Sequence, residues 1–230
     1  MRKMFCIAGL VLGLAVFASA QVKARPRPTP TPTKTPVRPV RDPEMGTITG
    51  RTYSNKKYRF QLVFPDTWLV PDEDFEAFLK TRGFDLSLKA PESLTSAGQA
   101  QVSQALKNLK MLVTAYRSLP GTPNNSMMRV SVEDLSLNPQ IEDAVDYFDA
   151  LRSSFRSIKL PADFEYSETQ AEKLGAMQFG YLDTSTKTDK KRMYATVRNG
   201  HAILFTLTYT AAEDLETMRH ILEEGDFDFK

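Results

Sequence analysis

Alternating apolar and polar residues near position 50 predict a β-hairpin. In segment 58–64 every second residue is aromatic or aliphatic, and a turn-forming sequence at 54–57 separates it from an earlier strand at 47–53. Pro65 ends the second strand because proline has no amide hydrogen for the sheet. We therefore expect a hairpin with one buried face.

Two more hairpins are predicted downstream. Strand-like segments at 110–119 and 127–137 flank a loop rich in proline, glycine and asparagine. The last third of the chain carries three strands, and the Asn199-Gly200 pair joins the strand at 193–198 to the strand at 202–209. Asn-Gly is the strongest short hairpin signal, because both residues tolerate positive φ.

Helical spacing of apolar residues predicts two helices in the first half of the chain. The segment 72–82 has an acidic first turn, and Gly83 fits the C-cap position. The segment 93–108 is mostly polar with one apolar stripe, so we expect an exposed amphipathic helix there.

Two further helices have clearer start signals. Asn138 is a residue type that favours the N-cap position, and Pro139 is one that favours the first helical position. The segment Thr210 to Glu213 matches a capping box, and it precedes a second helix that we expect to end at Gly225. The predicted buried stripes comprise Ile141, Val145, Phe148, Leu151 and Phe155 in the first helix, and Leu215, Met218 and Leu222 in the second.

This order of elements predicts the fold class. Hairpins interrupted by separate helices do not follow the β-α-β alternation that builds parallel sheets. We predict an α+β fold with a largely antiparallel β-sheet flanked by helices in an α/β/α sandwich. The residues 44–230 are numerous enough to form one domain with a sizeable core.

The N-terminus has the residue pattern of an export signal. Two basic residues precede fourteen apolar residues at 4–17, and small residues follow at 18–20. We predict a signal peptide at 1–20 that is cleaved near Ala20, with an uncleaved anchor as the alternative. A membrane span needs about 20 apolar residues, so no transmembrane helix is expected in the mature chain. The predicted location is extracytoplasmic, either periplasmic or secreted.

Residues 21–43 have the composition of a basic linker rich in proline and threonine. The run 25–43 holds seven of the fourteen prolines, and such a segment extends by about 3.1 Å per residue in the polyproline II conformation. It would hold the domain away from the chain start as a spacer, with recognition of a proline-rich ligand or of an anionic surface as alternatives. Cys6 is the only cysteine, so cleavage leaves a chain without disulfides.

The distribution of charge argues against nucleic acid as a partner. The whole chain carries a formal charge of +2, but six basic residues and one acidic residue fall in the linker 21–43. The segment 44–230 then has 22 basic and 27 acidic residues. A nucleic-acid-binding domain normally presents a basic face, which this composition disfavours.

Motifs for catalysis are missing from the sequence. It contains no G-x-S-x-G, no H-E-x-x-H and no glycine-rich phosphate loop. Only two histidines are present, and the lengths of the intervening strand and helix predict that His201 and His220 lie far apart. His201 beside its turn could act as a general base, but an exposed turn histidine is the favoured interpretation. We therefore assign no catalytic, cofactor-binding or metal-binding residue, and we expect no cofactor.

Several charged clusters have a structural and a functional interpretation. Acidic residues at 72–74 could bind a cation, but they more simply complement a helix N-terminus. The segment 183–189 alternates acids and hydroxyls but lacks the glycine and glutamate of a calcium loop, so we expect a hairpin tip. A basic patch at the same tip, which could dock an acidic partner, comprises Lys187, Lys190, Lys191 and Arg192.

Two single sites complete the survey. Asn124-Asn125-Ser126 is a glycosylation sequon, relevant only in a host that glycosylates. Trp68 is interpreted as a core residue in preference to a ligand platform.

The opening hairpin resembles that of a known family. The pattern G-x-x-Y-x-N-x-x-Y-x-F-x-L-x-x-P-x-x-W is formed by Gly50, Tyr53, Asn55, Tyr58, Phe60, Leu62, Pro65 and Trp68. This arrangement resembles the PsbP-like superfamily, of which the chain would be an exported bacterial member, although Arg59 stands where the family often has glycine. The resemblance implies an antiparallel sheet between helices, as in extrinsic photosystem proteins of the thylakoid lumen and in a relative that binds the GTPase Ran.

The resemblance also bears on function. Those members bind partners and not substrates, and the matching residues are framework positions, so no functional residue is carried over. Our hypothesis is an exported, non-enzymatic binding or accessory domain for an envelope protein or a small ligand. The alternatives are an envelope hydrolase that uses carboxylates or His201, and a tethered structural spacer.

Overall fold

The computed structural model describes residues 42–81, 94–157 and 160–229. The predicted signal peptide at 1–20, the linker up to Arg41 and the predicted C-cap Gly83 lie outside the described residues.

A small antiparallel sheet of three strands opens the described chain after a 3-10 helix at Pro43–Met45. Its strands are β1 at Thr47–Thr49, β2 at Thr52–Asn55 and β3 at Phe60–Val63. The strand predicted at 47–53 is divided, because Gly50 adopts a φ of 60° and forms a turn. The predicted buried face is confirmed by Tyr58, Phe60, Leu62 and Phe64, none of which is more than 8% exposed.

A second antiparallel sheet has seven strands. They are β4 at Leu109–Tyr116, β5 at Met127–Asp134, β6 at Glu165–Tyr166, β7 at Gln170–Leu174, β8 at Met177–Ser185, β9 at Lys190–Arg198 and β10 at His201–Tyr209. The order is β4-β5-β10-β9-β8-β6, and β7 also pairs with β8. Every pairing in this part of the chain is antiparallel, so the predicted α+β class is confirmed.

The predicted turn at Asn199-Gly200 is confirmed, with φ values of 50° and 72°. Two details of the last third differ from the prediction. Five strands are present where three were predicted, since β6 and β7 are short and carry little hydrophobic alternation. The strand predicted at 193–198 begins earlier, at Lys190.

Four helices are described: α1 at Glu73–Thr81, α2 at Ser96–Leu106, α3 at Ala144–Ser157 and α4 at Ala212–Glu223. The predicted start of α3 at Pro139 is wrong. The carboxylate of Asp143 accepts the amide hydrogens of Val145 and Asp146 at 2.7 and 2.9 Å and so caps the helix later. Val145 is 44% exposed in this first turn, contrary to its predicted burial.

The capping box predicted for α4 does not form. Ala211 occupies the N-cap position and makes no side-chain capping bond. Asp214 in the first turn is instead buried, and it accepts hydrogen bonds from Ser126 at 2.5 Å and Arg117 at 2.9 Å. The start of α4 is therefore fixed by a bond to the β4–β5 hairpin and not by its own cap.

The large sheet carries a hydrophobic core on each face. On one face, aromatic side chains of the sheet pack against the small sheet and α4, with Phe60, Phe179, Phe205 and Phe227 at the centre. On the other face, α2 and α3 cover Leu182, Met193 and Leu204. Helices thus lie on both sides of the large sheet, as predicted. On one of these sides the small sheet and α4 together cover the face.

None of the helices in the described ranges combines the length and the apolar character that a bilayer span requires.

Candidate functional site

A cleft of about 340 Å³ lies where three segments of the chain meet. It is lined by Lys57, Tyr58, Arg59, Arg198, Asn199, His201 and Asp228. The first three residues belong to the β2–β3 turn, the next three to the β9–β10 hairpin end, and the last to the segment after α4. The lining of the cleft therefore contains three positively charged side chains and one histidine, but a single acidic side chain.

Main-chain pairing brings these segments together. The amide of Gln61 donates to the carbonyl of Asp226 at 2.7 Å, and the amide of Asp226 returns a bond to Gln61 at 3.0 Å. This bridge lays the C-terminal segment along β3, next to the turn that carries Arg59. In the β9–β10 hairpin Arg198 is the register partner of His201.

Arg59 has an unusual backbone conformation. Its φ is 57°, and the only other non-glycine residues with positive φ in the described ranges are Asn124 and Asn199. Asparagine enters this region readily, whereas other residues with a Cβ pay roughly 1–2 kcal/mol. A strained residue whose side chain lines a cleft is grounds for a functional hypothesis.

The basic groups of the cleft already hold weak or local partners. Arg59 pairs with Asp228 and Lys57 pairs with Glu44. The side chains of Arg59 and Asp228 are 47% and 75% exposed, so their ion pair is open to water. The guanidinium of Arg198 donates to the carbonyl of Phe227 at 2.5 Å and to the sulfur of Met177 at 3.1 Å.

The positive charge of Arg59 acts on Arg198 across this cleft. Burial lowers the pKa of Arg198, the positive charge of Arg59 lowers it further, and Asp228 acts in the opposite direction. An anion placed between Arg59 and Arg198 would relieve this repulsion.

His201, the predicted candidate base, lies in the cleft. Its Nδ1 is 2.9 Å from the carbonyl oxygen of Asn199, and the Tyr58 ring meets it edge-on with centroids 5.5 Å apart. The residues that line the cleft include no serine, threonine or cysteine. His220 lies apart from the cleft on α4, 3.7 Å from Glu223. Within the described ranges, no three metal-ligating side chains come together.

The predicted basic patch at the β8–β9 tip is wrong. Because β9 already begins at Lys190, alternation directs Lys191 and Arg192 to opposite covered faces. Lys191 is 5% exposed, and burial lowers its pKa to about 8. Arg192 binds Asp183 through two hydrogen bonds of 2.8 Å and stacks on the Tyr181 ring at 4.3 Å.

The other predicted sites have structural roles. Asp72 caps α1 by accepting the Phe75 amide hydrogen at 2.8 Å, and the side chains of Glu73 and Asp74 lie outside the description. Residues 186–189 close the β8–β9 turn through Thr186, as a hairpin tip does. Trp68 is 6% exposed in the core, as predicted.

The sequon has an exposed Asn124, whereas Ser126 is buried and bonded to Asp214. A second cleft, of about 370 Å³, lies at the opposite end of β8 and β9. Its charged groups are Glu165, Lys190 and an Asp183 that Arg192 already engages. Its charged groups are of both signs, so the cleft at Arg59 is the stronger candidate for a binding site.

The molecule is thus an α+β protein with a basic cleft at one end of its large antiparallel sheet. A search of solved structures finds it similar to cyanobacterial PsbP (CyanoP) from Synechocystis sp. PCC 6803, with a TM-score of 0.41 and 11% sequence identity over 78% of this chain and 96% of that chain. This likeness concerns the fold alone. No protein-family model and no curated protein matches the sequence.

Proposed function

We propose that the protein is an exported binding or accessory domain that holds an anionic group of an envelope protein or small ligand in the cleft at Arg59. The observation that supports this most directly is the convergence of Lys57, Arg59 and Arg198 on one open cleft, with Arg59 held in a strained conformation. The Arg59 side chain is half exposed, so its burial does little to offset the strain of its backbone.

Binding accounts for the cleft better than catalysis does. The groups around His201 are mainly the cations Lys57, Arg59 and Arg198, which are suited to bind an anion. The hydrolase alternative would become the better account if an envelope substrate were turned over and His201→Ala abolished that turnover without loss of folding.

Export is supported by the residue pattern at 1–20, and the spacer role by the composition of 21–43. The end of the linker is tied to the domain: Lys110 binds both Asp42 and Glu44 at 2.7 Å. N-terminal sequencing of protein recovered from the envelope fraction should begin at Gln21, and retention of Met1 in cytoplasmic material would overturn the export proposal.

A crosslinking experiment tests the binding proposal. Wild-type protein, Arg59→Ala and the control Arg51→Ala are crosslinked in the native envelope and purified. Arg51 lies at the other end of the same hairpin, where its guanidinium donates to the carbonyl of Phe64 at 3.5 Å and lies 3.7 Å from Asp66. We expect a partner or ligand that is lost with Arg59→Ala and kept with Arg51→Ala. Equal recovery from all three proteins would refute the role of the cleft.

A passive spacer makes a different prediction. Deletion of residues 25–41 would abolish the function of a spacer, whereas a binding domain lacking them would still capture its partner in solution. Asp42 is kept in this deletion because it binds Lys110.

A further inference from the structure

The cleft already contains a carboxylate, and this indicates what kind of ligand it accepts. We infer that the ligand is an acidic segment of a partner protein, and that one of its aspartate or glutamate carboxylates replaces Asp228 on Arg59. This inference rests on the proposed binding function of the cleft.

Asp228 is placed so that its side chain can leave while its backbone stays. The amide of Asp228 donates to the side chain of Asp226 at 2.9 Å, and Asp226 is bridged to Gln61. The preceding residue, Phe227, is 7% exposed in the aromatic core. Only the exposed Arg59–Asp228 ion pair has to open, and ion pairs of this kind contribute little.

The geometry of Arg198 favours an anion at the same place. One of its guanidinium nitrogens bonds the carbonyl of Phe227, directly before Asp228. Arg59 and Arg198 therefore approach the C-terminal segment from two elements, and a planar guanidinium is well matched to a carboxylate.

The charge of the lining suits a singly charged group. Lys57 is engaged by Glu44, and Asp228 offsets one of the two guanidinium charges. When an incoming carboxylate displaces Asp228, it meets the same balance. A phosphoryl group carries about −1.5 to −2 at neutral pH, so it would not be a one-for-one replacement for the Asp228 carboxylate. Nucleic acid is disfavoured further by the excess of acidic residues in 44–230.

The polar lining of the cleft favours a protein segment over a free small acid as the ligand. Sites for small molecules are usually enclosed by apolar walls that bury most of the ligand. Here Tyr58 and His201 are the two ring-bearing residues in the lining, and the remaining groups are polar or charged. If the cleft anchors one acidic side chain, most of the binding affinity would come from contacts of the residues around it in the partner protein.

Fluorescence anisotropy with a labelled hexaglutamate peptide tests the inference, with hexaglutamine as the control peptide. Wild-type protein should bind hexaglutamate at low salt and not hexaglutamine. Arg59→Ala should weaken binding about tenfold, because a charge-assisted bond is lost. Asp228→Asn should tighten it about threefold, because the resident competitor loses its charge. Arg51→Ala should stay within about twofold of wild type.

The outcomes separate the inference from the proposed function. If inorganic phosphate or a phosphopeptide binds more tightly than hexaglutamate and depends on Arg59, the cleft binds anions but the carboxylate assignment is overturned. If Asp228→Asn weakens or does not change binding, the exchange with Asp228 is overturned. If no anion depends on Arg59, the proposed function fails as well. Circular dichroism of each variant shows that a change in affinity does not reflect unfolding.

Discussion

Replacement of Lys191 by methionine is expected to stabilise the protein at neutral pH and to remove part of its pH dependence. Lys191 lies in β9 between the register partners Thr184 of β8 and Thr208 of β10, and all three residues are buried. Its ammonium group is therefore taken out of water on folding. Methionine has a similar length and no charge, so it can fill the same space.

The magnitude follows from the pKa. Burial lowers the pKa of Lys191 from 10.5 to about 8, and the attraction of Asp189 offsets this only in part. A pKa difference of this size corresponds to about 3 kcal/mol. Between pH 8 and pH 10.5 the unfolded chain binds more protons than the folded chain, so this residue makes stability rise with pH. Below pH 8 the full cost is present.

The measurement is the difference in unfolding free energy between Lys191→Met and wild type, from urea denaturation at pH 7 to 10.5. Burial also raises the pKa values of Tyr194 and Tyr209, which opposes the rise near pH 10, but these contributions are common to both proteins and cancel. The advantage of the variant should shrink by about 3 kcal/mol over this range. The variant also loses the polar contacts of Lys191. This loss lowers the stability advantage of the variant equally at every pH and does not change how the advantage varies with pH.

Lys190→Met is the matched control, because Lys190 is exposed on the same strand. It should change stability by no more than about 0.5 kcal/mol at any of these pH values. A difference for Lys191→Met that does not vary with pH would refute the assignment of a buried, easily deprotonated lysine.

Three further predictions concern stability, each measured by chemical denaturation. Gly175→Ala should destabilise the protein by about 1–3 kcal/mol more than Gly50→Ala. Both glycines have positive φ, but only at Gly175 would an added Cβ lie 2.3 Å from a backbone carbonyl oxygen, so equal effects would contradict this prediction. Phe205→Ala should cost about 3–5 kcal/mol, since its fully buried ring contacts three other phenylalanines, and a loss below 1 kcal/mol would argue against the aromatic core. Asp214→Ala should cost about 2 kcal/mol, and a double-mutant cycle with Ser126→Ala should show coupling; additive effects would exclude the bond between them.

The sequence predicted those parts of the fold that depend on local patterns. The Asn199-Gly200 turn and the alternation in 58–64 were sufficient to predict hairpins, because turn type and strand period are set by neighbouring residues. The start of α3 was mispredicted because two signals competed. Asn138 and Pro139 resemble a helix start, but Asp143 caps the helix in the structure.

Burial of charged residues was the least predictable feature. Lys190, Lys191 and Arg192 appear in the sequence as one basic run. In β9, Lys191 is buried on one face, while Lys190 and Arg192 lie on the other, where Lys190 is exposed at the strand end and Arg192 pairs with Asp183. A pattern of charges predicts a patch only if the segment is a loop. In a central strand with both faces covered, the same residues must be paired or lose their charge.

The cleft could not be found from spacing, since its residues come from positions near 58, 200 and 228. One local signal was available: Arg59 stands in a turn where glycine or asparagine would be unstrained. Asn199, the second cleft residue with positive φ, has the residue type that such a position favours. If Arg59 served only the turn, glycine would relieve the strain and Arg59→Gly would stabilise the hairpin by about 1 kcal/mol. Arg59→Gly would also remove the cation that Asp228 contacts, so a more stable hairpin that no longer binds hexaglutamate would separate the conformational role of Arg59 from its proposed role in binding.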